Sequence, residues 1–349
     1  MKYRILGKTG LKVSEIGMGT WQLAGFPWGW DAPNEKESMR ALYQFVELGG
    51  NFIDTAWVYG RADEPGEKSG KHCSEELIGE FVKEAKNHDK VIIASKIPPK
   101  NRKWPAWKGI PVSEVFPPNY IIEMTESSLK SLGIETLDLM QFHVWQEDFT
   151  DDDGWKDAIT KLTKQGKVKH WGISINDYQP SNCLKTLDTG LISTIQFIFN
   201  IFHQKPEEKL LPYAAKNNIG LIARVPLDEG GLTGRITKDS KFDDDMRSVY
   251  FRKDRLEEFI PRIEKLNKLF GDEAKTLSEL ALRWLLSHKE LSTTIPGTRK
   301  VKYVVENTSV SGGRKLSVSL MQELKKHAWE RNFYVDREPL LKNSGYIEI

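Results

Sequence analysis

The chain alternates eight times between a short apolar run and a longer stretch of helical period, and that alternation limits the folds open to it. The apolar runs are residues 15–19, 51–55, 91–96, 137–143, 170–174, 194–197, 220–225 and 293–295. None shows strict polar alternation, and strands apolar on both faces suit a parallel sheet covered by helices. Residues 35–48 carry Met39, Leu42, Tyr43, Phe45 and Val46 along one helical face. Residues 74–85 carry Leu77, Ile78, Phe81 and Val82, and residues 120–132 carry Ile121, Ile122, Met124 and Leu129. Residues 256–270 and 278–286 read the same way, the second with Ser278 as its N-cap. Eight βα units in a row predict a (β/α)8 TIM barrel, with a doubly wound open sheet as the alternative. Residues 3–6 and 11–13 flank a GKTG turn and predict a β-hairpin laid across one end. No break in composition marks a boundary, so residues 1–349 read as one domain.

Composition excludes several classes of protein. Fifty-one basic against 49 acidic residues leave a net charge of +2, which gives no electrostatic case for nucleic acid. The two cysteines, Cys73 and Cys183, have no CxxC spacing, so a reducing compartment is expected rather than a disulfide framework. The N-terminus shows no apolar signal region, so a cytoplasmic location is expected. The longest apolar stretch, residues 192–202, is broken by Ser193, Gln196 and Asn200, too short for a membrane span. Three segments follow strand C-termini without regular pattern: residues 22–33, 98–119 and 226–249. Barrel enzymes place their sites on that face, so these loops and the tail 332–349 are expected to set specificity.

Chemistry-bearing side chains stand at the same ends. The second run ends in Asp54, with Tyr59 in the following turn; the third ends in Lys96 and the fourth in His143. An acid, a phenol, an ammonium and an imidazole are thus aimed at one mouth from consecutive strands. A phenol ionises near about 10 and holds its proton at neutral pH. A nearby ammonium favours the phenolate and makes the phenol a better donor. A carboxylate behind the lysine keeps it from being an isolated buried charge, and the imidazole can hydrogen-bond a carbonyl oxygen. No serine or cysteine nucleophile accompanies His143, and no HExxH or clustered His/Cys pattern offers a metal site. A set that polarises a carbonyl and donates a proton needs hydride from elsewhere, which implies a nicotinamide.

These residues carry a family resemblance. Residues 3–21 (YRILGKTGLKVSEIGMGTW) resemble the opening of the aldo-keto reductases, as do 51–60 (NFIDTAWVYG) and 74–79 (SEELIG). Further matches are 128–133 (SLKSLG), 137–143, 166–174 (GKVKHWGIS) and 295–299 (IPGTR) with Glu306 and Asn307, all in the family's order. The resemblance implies a barrel that reduces aldehydes or ketones with NADPH, NADH being the alternative. It places the proton donor on Tyr59, the tuning lysine on Lys96, the supporting carboxylate on Asp54 and the substrate-orienting histidine on His143.

Cofactor contacts implied by the resemblance begin with Gly19, Thr20, Trp21 and Asp54, and with Ser174 and Gln196 on the carboxamide. The family usually has Asn directly after that serine, whereas this chain has Ile175 and then Asn176. Either Asn176 takes the role through a shifted backbone or Ser174 and Gln196 act alone. Arg224 stands where many relatives have a stacking tyrosine, and its planar guanidinium can stack too. Pro226, Leu227, Gly230, Leu232, Gly234 and Arg235 follow the seventh strand. Gly297, Thr298 and Arg299 follow the eighth and open a helix, the places where barrels bind phosphate. Arg299 has the fork geometry for a 2′-phosphate, and Glu306 with Asn307 match the adenine-contacting pair. Trp21, Trp28, Trp57, Trp104 and Trp145 are expected to wall the pocket for a small-molecule carbonyl substrate. The resemblance extends to potassium-channel β subunits, so a cofactor-binding regulatory subunit is the alternative function.

Overall fold

The computed structural model describes residues 1–24, 34–61, 73–85, 88–242 and 246–334. Two antiparallel strands, β1 (Tyr3–Ile5) and β2 (Lys12–Ser14), form the N-terminal hairpin. Eight parallel strands follow: β3 (Met18–Gly19), β4 (Phe52–Asp54), β5 (Ile92–Ile97), β6 (Leu137–Phe142), β7 (Val168–Ser174), β8 (Thr194–Ile198), β9 (Gly220–Arg224) and β10 (Thr293–Thr294). Each pairs with its sequence neighbour, and parallel bridges Ile16↔Thr294 and Gly19↔Gly297 bring the first strand against the last. The sheet is a nearly closed TIM barrel, not an open doubly wound sheet. Closure needs a glycine at residue 19, where a Cβ would stand 2.7 Å from the Ile295 carbonyl oxygen.

The strands lack polar alternation because both faces are buried, and the two faces bury different things. Ile53, Ile93, Met140, Ile173, Ile195 and Leu221 point outward into the core shared with the helices. Their immediate neighbours along each strand point inward, since successive side chains alternate between the two faces. At the barrel floor the inward residues are Phe52, Ala94, Leu139, Ile222 and Ile295, capped by Leu6 and Val13 from the hairpin. Two residues further along each strand the inward positions become Asp54, Lys96, Gln141 and Arg224. The interior therefore changes from apolar floor to polar mouth within one pleat.

Helices form largely where the periodicity placed them. Helix Ser74–Ala85 has the expected bounds, and Pro118–Leu132 starts two residues early because Pro118 suits the first turn. Helix Lys253–Leu266 lies earlier than residues 256–270, and Arg255 and Leu256 are buried in its first turns. The cap expected at Ser278 is instead Thr276, whose hydroxyl accepts from Glu279 N at 3.1 Å. Such caps contribute about 1 kcal/mol. No described helix is long and apolar enough to cross a membrane.

The hairpin is riveted to the barrel by Arg4. Its guanidinium donates to the carbonyls of His288 and Leu291 at 2.8 Å and of Leu286 at 2.7 Å, and to Glu15 at 3.1 Å. Glu15 in turn accepts from Ser311 Oγ and Gly312 N. Arg4→Met leaves those carbonyls without a donor, and hydrogen bonds to charged groups are worth about 1.5–3 kcal/mol. We expect unfolding stability to fall by about 2–3 kcal/mol in urea titration; a loss below about 0.5 kcal/mol would refute the rivet.

Candidate active site

At the barrel mouth, Lys96 sits at the inward position of β5 with no solvent exposure (0%). An unpaired ammonium there would be prohibitively costly, and its Nζ is satisfied on three sides. It donates to Asp54 Oδ1 at 2.5 Å, to the Thr55 carbonyl at 2.7 Å and to Tyr59 Oη at 3.3 Å. The other Asp54 oxygen accepts from Gln196 Nε2 at 2.7 Å and Gln141 Nε2 at 3.4 Å. Thr20 Oγ1 donates to the Asp54 carbonyl at 2.8 Å, and Ser74 Oγ donates to Thr20 Oγ1 at 2.7 Å. Four strands thus hold one ion pair.

Tyr59 reaches this pair from the turn after β4, its backbone tied to Ala56 and Ser74. The Trp21 ring stacks 6.1 Å from the phenol ring, and the His143 ring meets it edge-on at 5.8 Å. Trp104 covers the other side of His143 at 4.8 Å. Burial raises the Tyr59 hydroxyl above the ordinary phenol range and outweighs the lowering by Lys96. The expected net activation by the ammonium is therefore not what the site sets; it holds the proton on the phenol at neutral pH. Burial, then the charges of Lys96 and Arg224, keep His143 well below the usual imidazole range, so the ring is neutral. Its Nδ1 is buried without a hydrogen-bond partner among the described residues.

A cavity of about 980 Å³ opens above these groups, at the top of the range for small-molecule sites. Gly19, Thr20, Trp21, Asp54, Tyr59, His143, Ser174 and Gln196 line its inner part. Arg224, Pro226, Leu227, Gly230 and Arg235, on and after β9, form one arm of the lining, and Gly297, Arg299, Glu306 and Asn307, after β10, form another. Arg235 bridges the arms, pairing with Glu306 at 3.0 Å and lying 4.5 Å over the Tyr303 ring. Arg224 donates to Asp177 at 2.5 Å and to the Ile175 carbonyl at 3.0 Å, while its Nε, like Gln22 Oε1, is buried without a partner. An elongated site with basic groups in its arms and orphaned polar atoms at its floor suits a phosphorylated, amide-bearing cofactor.

Several expected residues stand elsewhere. Trp145 is 0% exposed in the outer core, its indole N–H donating to Thr186, and so walls no pocket. Trp57 lies behind the site, donating to Ser127 Oγ with Arg61 stacked 4.7 Å above it. Leu232 is buried in the core, Gly234 is the left-handed end of its turn, and Thr298 bonds back to Pro296; none lines the cavity. Trp28 lies outside the described residues. Asn176 lines the cavity, yet its side chain is engaged with the surrounding loops. Its Oδ1 accepts from the backbone N–H groups of Ala106 and Trp145, and its Nδ2 donates to the Ala106 carbonyl and Gln179. Its bonding capacity is taken up by the Ala106 and Trp145 peptides and Gln179, which anchors the segment carrying Trp104.

Sequence reading missed Asp177 and Glu229, which also line the cavity, as does Tyr334 from the tail. Tyr334 donates its hydroxyl to Glu229 Oε1, so this part of the tail folds over the mouth. Asp177 follows Asn176 directly, but nothing along the chain signals that Arg224 turns toward it. Burial pushes the Glu229 carboxyl up to about 7, against the Tyr334 bond and with the neighbouring Asp228 charge adding to the rise.

A model of the Aldo/keto reductase family matches residues 15–328. Aldo-keto reductase YhdN of Bacillus subtilis (strain 168) is 29% identical over 316 residues, covering 89% of each chain. An NADH-specific methylglyoxal reductase of Escherichia coli (strain K12) is 26% identical, over 88% of this chain and 93% of its own. Among solved structures, the glycerol dehydrogenase AKR11B4 from Gluconobacter oxydans aligns with TM-score 0.73 and 27% identity, over 93% of this chain and 94% of its own.

Glu229 generates a pH prediction. A carboxyl whose folded value is raised contributes stability that is full below the ordinary carboxylate range and lost as pH rises through about 7. Glu229→Gln removes that loss. Its thermal midpoint should match the parent at pH 4, exceed it increasingly up to pH 7, and stay level above. A constant difference across this range would show that Glu229 does not titrate there.

Proposed function

The chain belongs to the aldo/keto reductase family, and from that premise we propose that it reduces a small aldehyde or ketone with hydride from a nicotinamide cofactor, Tyr59 donating the proton. Family membership makes the chain an oxidoreductase. The observation carrying the finer reading is the meeting of Tyr59 Oη, 3.3 Å from Lys96 Nζ, with the Lys96–Asp54 pair and a neutral His143 at the cavity floor. The nicotinamide, when bound, supplies a hydride to the carbonyl carbon.

The protein's own residues handle the oxygen. The Tyr59 hydroxyl keeps its proton until a carbonyl oxygen gains negative charge and takes it. Lys96 holds the phenol in place and stabilises the phenolate left behind. Asp54 keeps the ammonium fixed, and Gln196 ties Asp54 to β8. The neutral His143 donates a hydrogen bond that orients the carbonyl. Trp21 and Trp104 flank the reacting position and exclude water. The free, buried Cys73 and Cys183 fit a reducing, cytoplasmic compartment. In the arms, Arg299 pairing with a 2′-phosphate favours NADPH, while the NADH-specific relative keeps NADH in the comparison.

Tyr59→Phe removes only the donor, and general acid catalysis is worth about 10²–10⁴-fold. Turnover on a panel of aldehydes should fall at least about 100-fold with nucleotide affinity unchanged; undiminished turnover would refute the donor assignment. Tight nucleotide binding by the parent with no turnover on any carbonyl would favour the regulatory-subunit alternative. Arg299→Ala should weaken NADPH about tenfold more than NADH in fluorescence titration, the loss of one charge-assisted contact. Equal weakening of both would remove Arg299 from the phosphate.

A further inference from the structure

The loop after β9 follows an improbable path. Val225, Asp228 and Glu229 have φ of 54°, 51° and 52°, left-handed values that only glycine adopts freely. For a β-branched valine this is an outlier, and such backbone persists only where its surroundings over-determine it. The loop also packs hard, because a Cβ on Gly231 would stand 2.2 Å from the Phe259 ring. Pro226, Leu227, Glu229 and Gly230 from this loop wall the cavity arm.

What pins the loop comes from far along the chain. Asp228 points away from the cavity, fully buried, and accepts from Arg331 Nη2 at 2.5 Å and from Tyr250 Oη at 3.0 Å. Arg331 lies 4.4 Å over Trp329, 4.7 Å over Phe333 and 5.2 Å over Phe202, a stacked guanidinium. Trp329 N donates to the Phe202 carbonyl at 2.8 Å, fixing the segment to the barrel. Three residues after Arg331, Tyr334 donates to Glu229 and itself lines the cavity, 5.0 Å from the Tyr250 ring. Two adjacent strained acids are therefore each held by one residue of the same C-terminal segment.

We propose that Arg331 and Tyr334 are positioning residues that latch the 225–234 loop in its left-handed form and thereby set how long a nicotinamide nucleotide stays bound. They touch the loop, not the reacting atoms. The proposal rests on the reductase reading, through the cofactor this cavity arm would hold. Without the latch, Asp228 and Glu229 relax toward ordinary backbone values, and the wall they form with Pro226 and Leu227 loosens.

The test uses the full chain with Tyr334→Phe, Arg331→Met and Arg331→Lys. Two readouts separate the latch from the reductase reading. Amide hydrogen exchange of residues 225–234 in the ligand-free proteins reports the loop itself. Tryptophan-fluorescence stopped flow, chasing bound NADPH or NADH with excess unlabelled competitor, reports the dissociation rate. We expect faster exchange in that loop and dissociation about tenfold faster in Tyr334→Phe and Arg331→Met, with Arg331→Lys recovering part of both. Exchange and dissociation within twofold of the parent in the mild Tyr334→Phe variant would overturn the proposal, as would accelerated exchange with unchanged dissociation. A parent protein that binds neither nucleotide would overturn the reductase reading first and the nucleotide role of the latch with it.

Discussion

A single buried ion pair, Lys96 with Asp54, organises the mouth of this barrel. Two charges this deep are tolerated only if every remaining valence is met. The ammonium uses Asp54, the Thr55 carbonyl and Tyr59, while the carboxylate uses Gln196 and Gln141. These requirements fix the inward residues of β4, β5, β6 and β8 together. Removing one partner would strand the other charge at a cost of about 3–5 kcal/mol. The same pair places a cation 3.3 Å from the Tyr59 hydroxyl, the geometry on which the proposed proton transfer rests.

Around that fixed point, rigidity and strain are divided between the two sides of the cavity. After β4 to β7, polar networks brace the loops: Arg61 with Glu75 and Ser131, and Asn176 with the Ala106 peptide. On the side of β9, three non-glycine residues adopt left-handed backbone, at roughly 1–3 kcal/mol each. That strain is offset by Arg331, Tyr334 and Tyr250, drawn from elements far away in sequence. That arm of the cavity is thus walled by the segment with the most to gain from moving.

Much of this was legible along the chain. Eight apolar runs gave the barrel because parallel strands buried on both faces carry continuous apolar sequence. The terminal residues of those runs marked Asp54, Lys96 and His143, since a strand end at the C-terminal face must point its last inward side chain at the mouth. Residue type misled where tryptophan was concerned. Trp145 and Trp57 sit near the site in sequence but on the outward face, and whether an indole lines a cavity or fills a core depends on which way its strand end turns. Leu232 and Thr298 belong to loops that line the cavity with some residues and brace themselves with the rest.

The sequence by itself determined the barrel and the strand-end groups brought to its mouth, because a period of two along each strand is local and sets their direction, with Tyr59 following in the turn after β4. Tertiary structure alone decided the sign of the perturbation on Tyr59, where burial outweighs the ammonium. It alone decided that Asn176 braces a loop, that Arg224 pairs with Asp177, and that Arg331 reaches back 103 positions to Asp228. Those outcomes depend on desolvation and on contacts between segments whose separation in sequence carries no information about their distance in space.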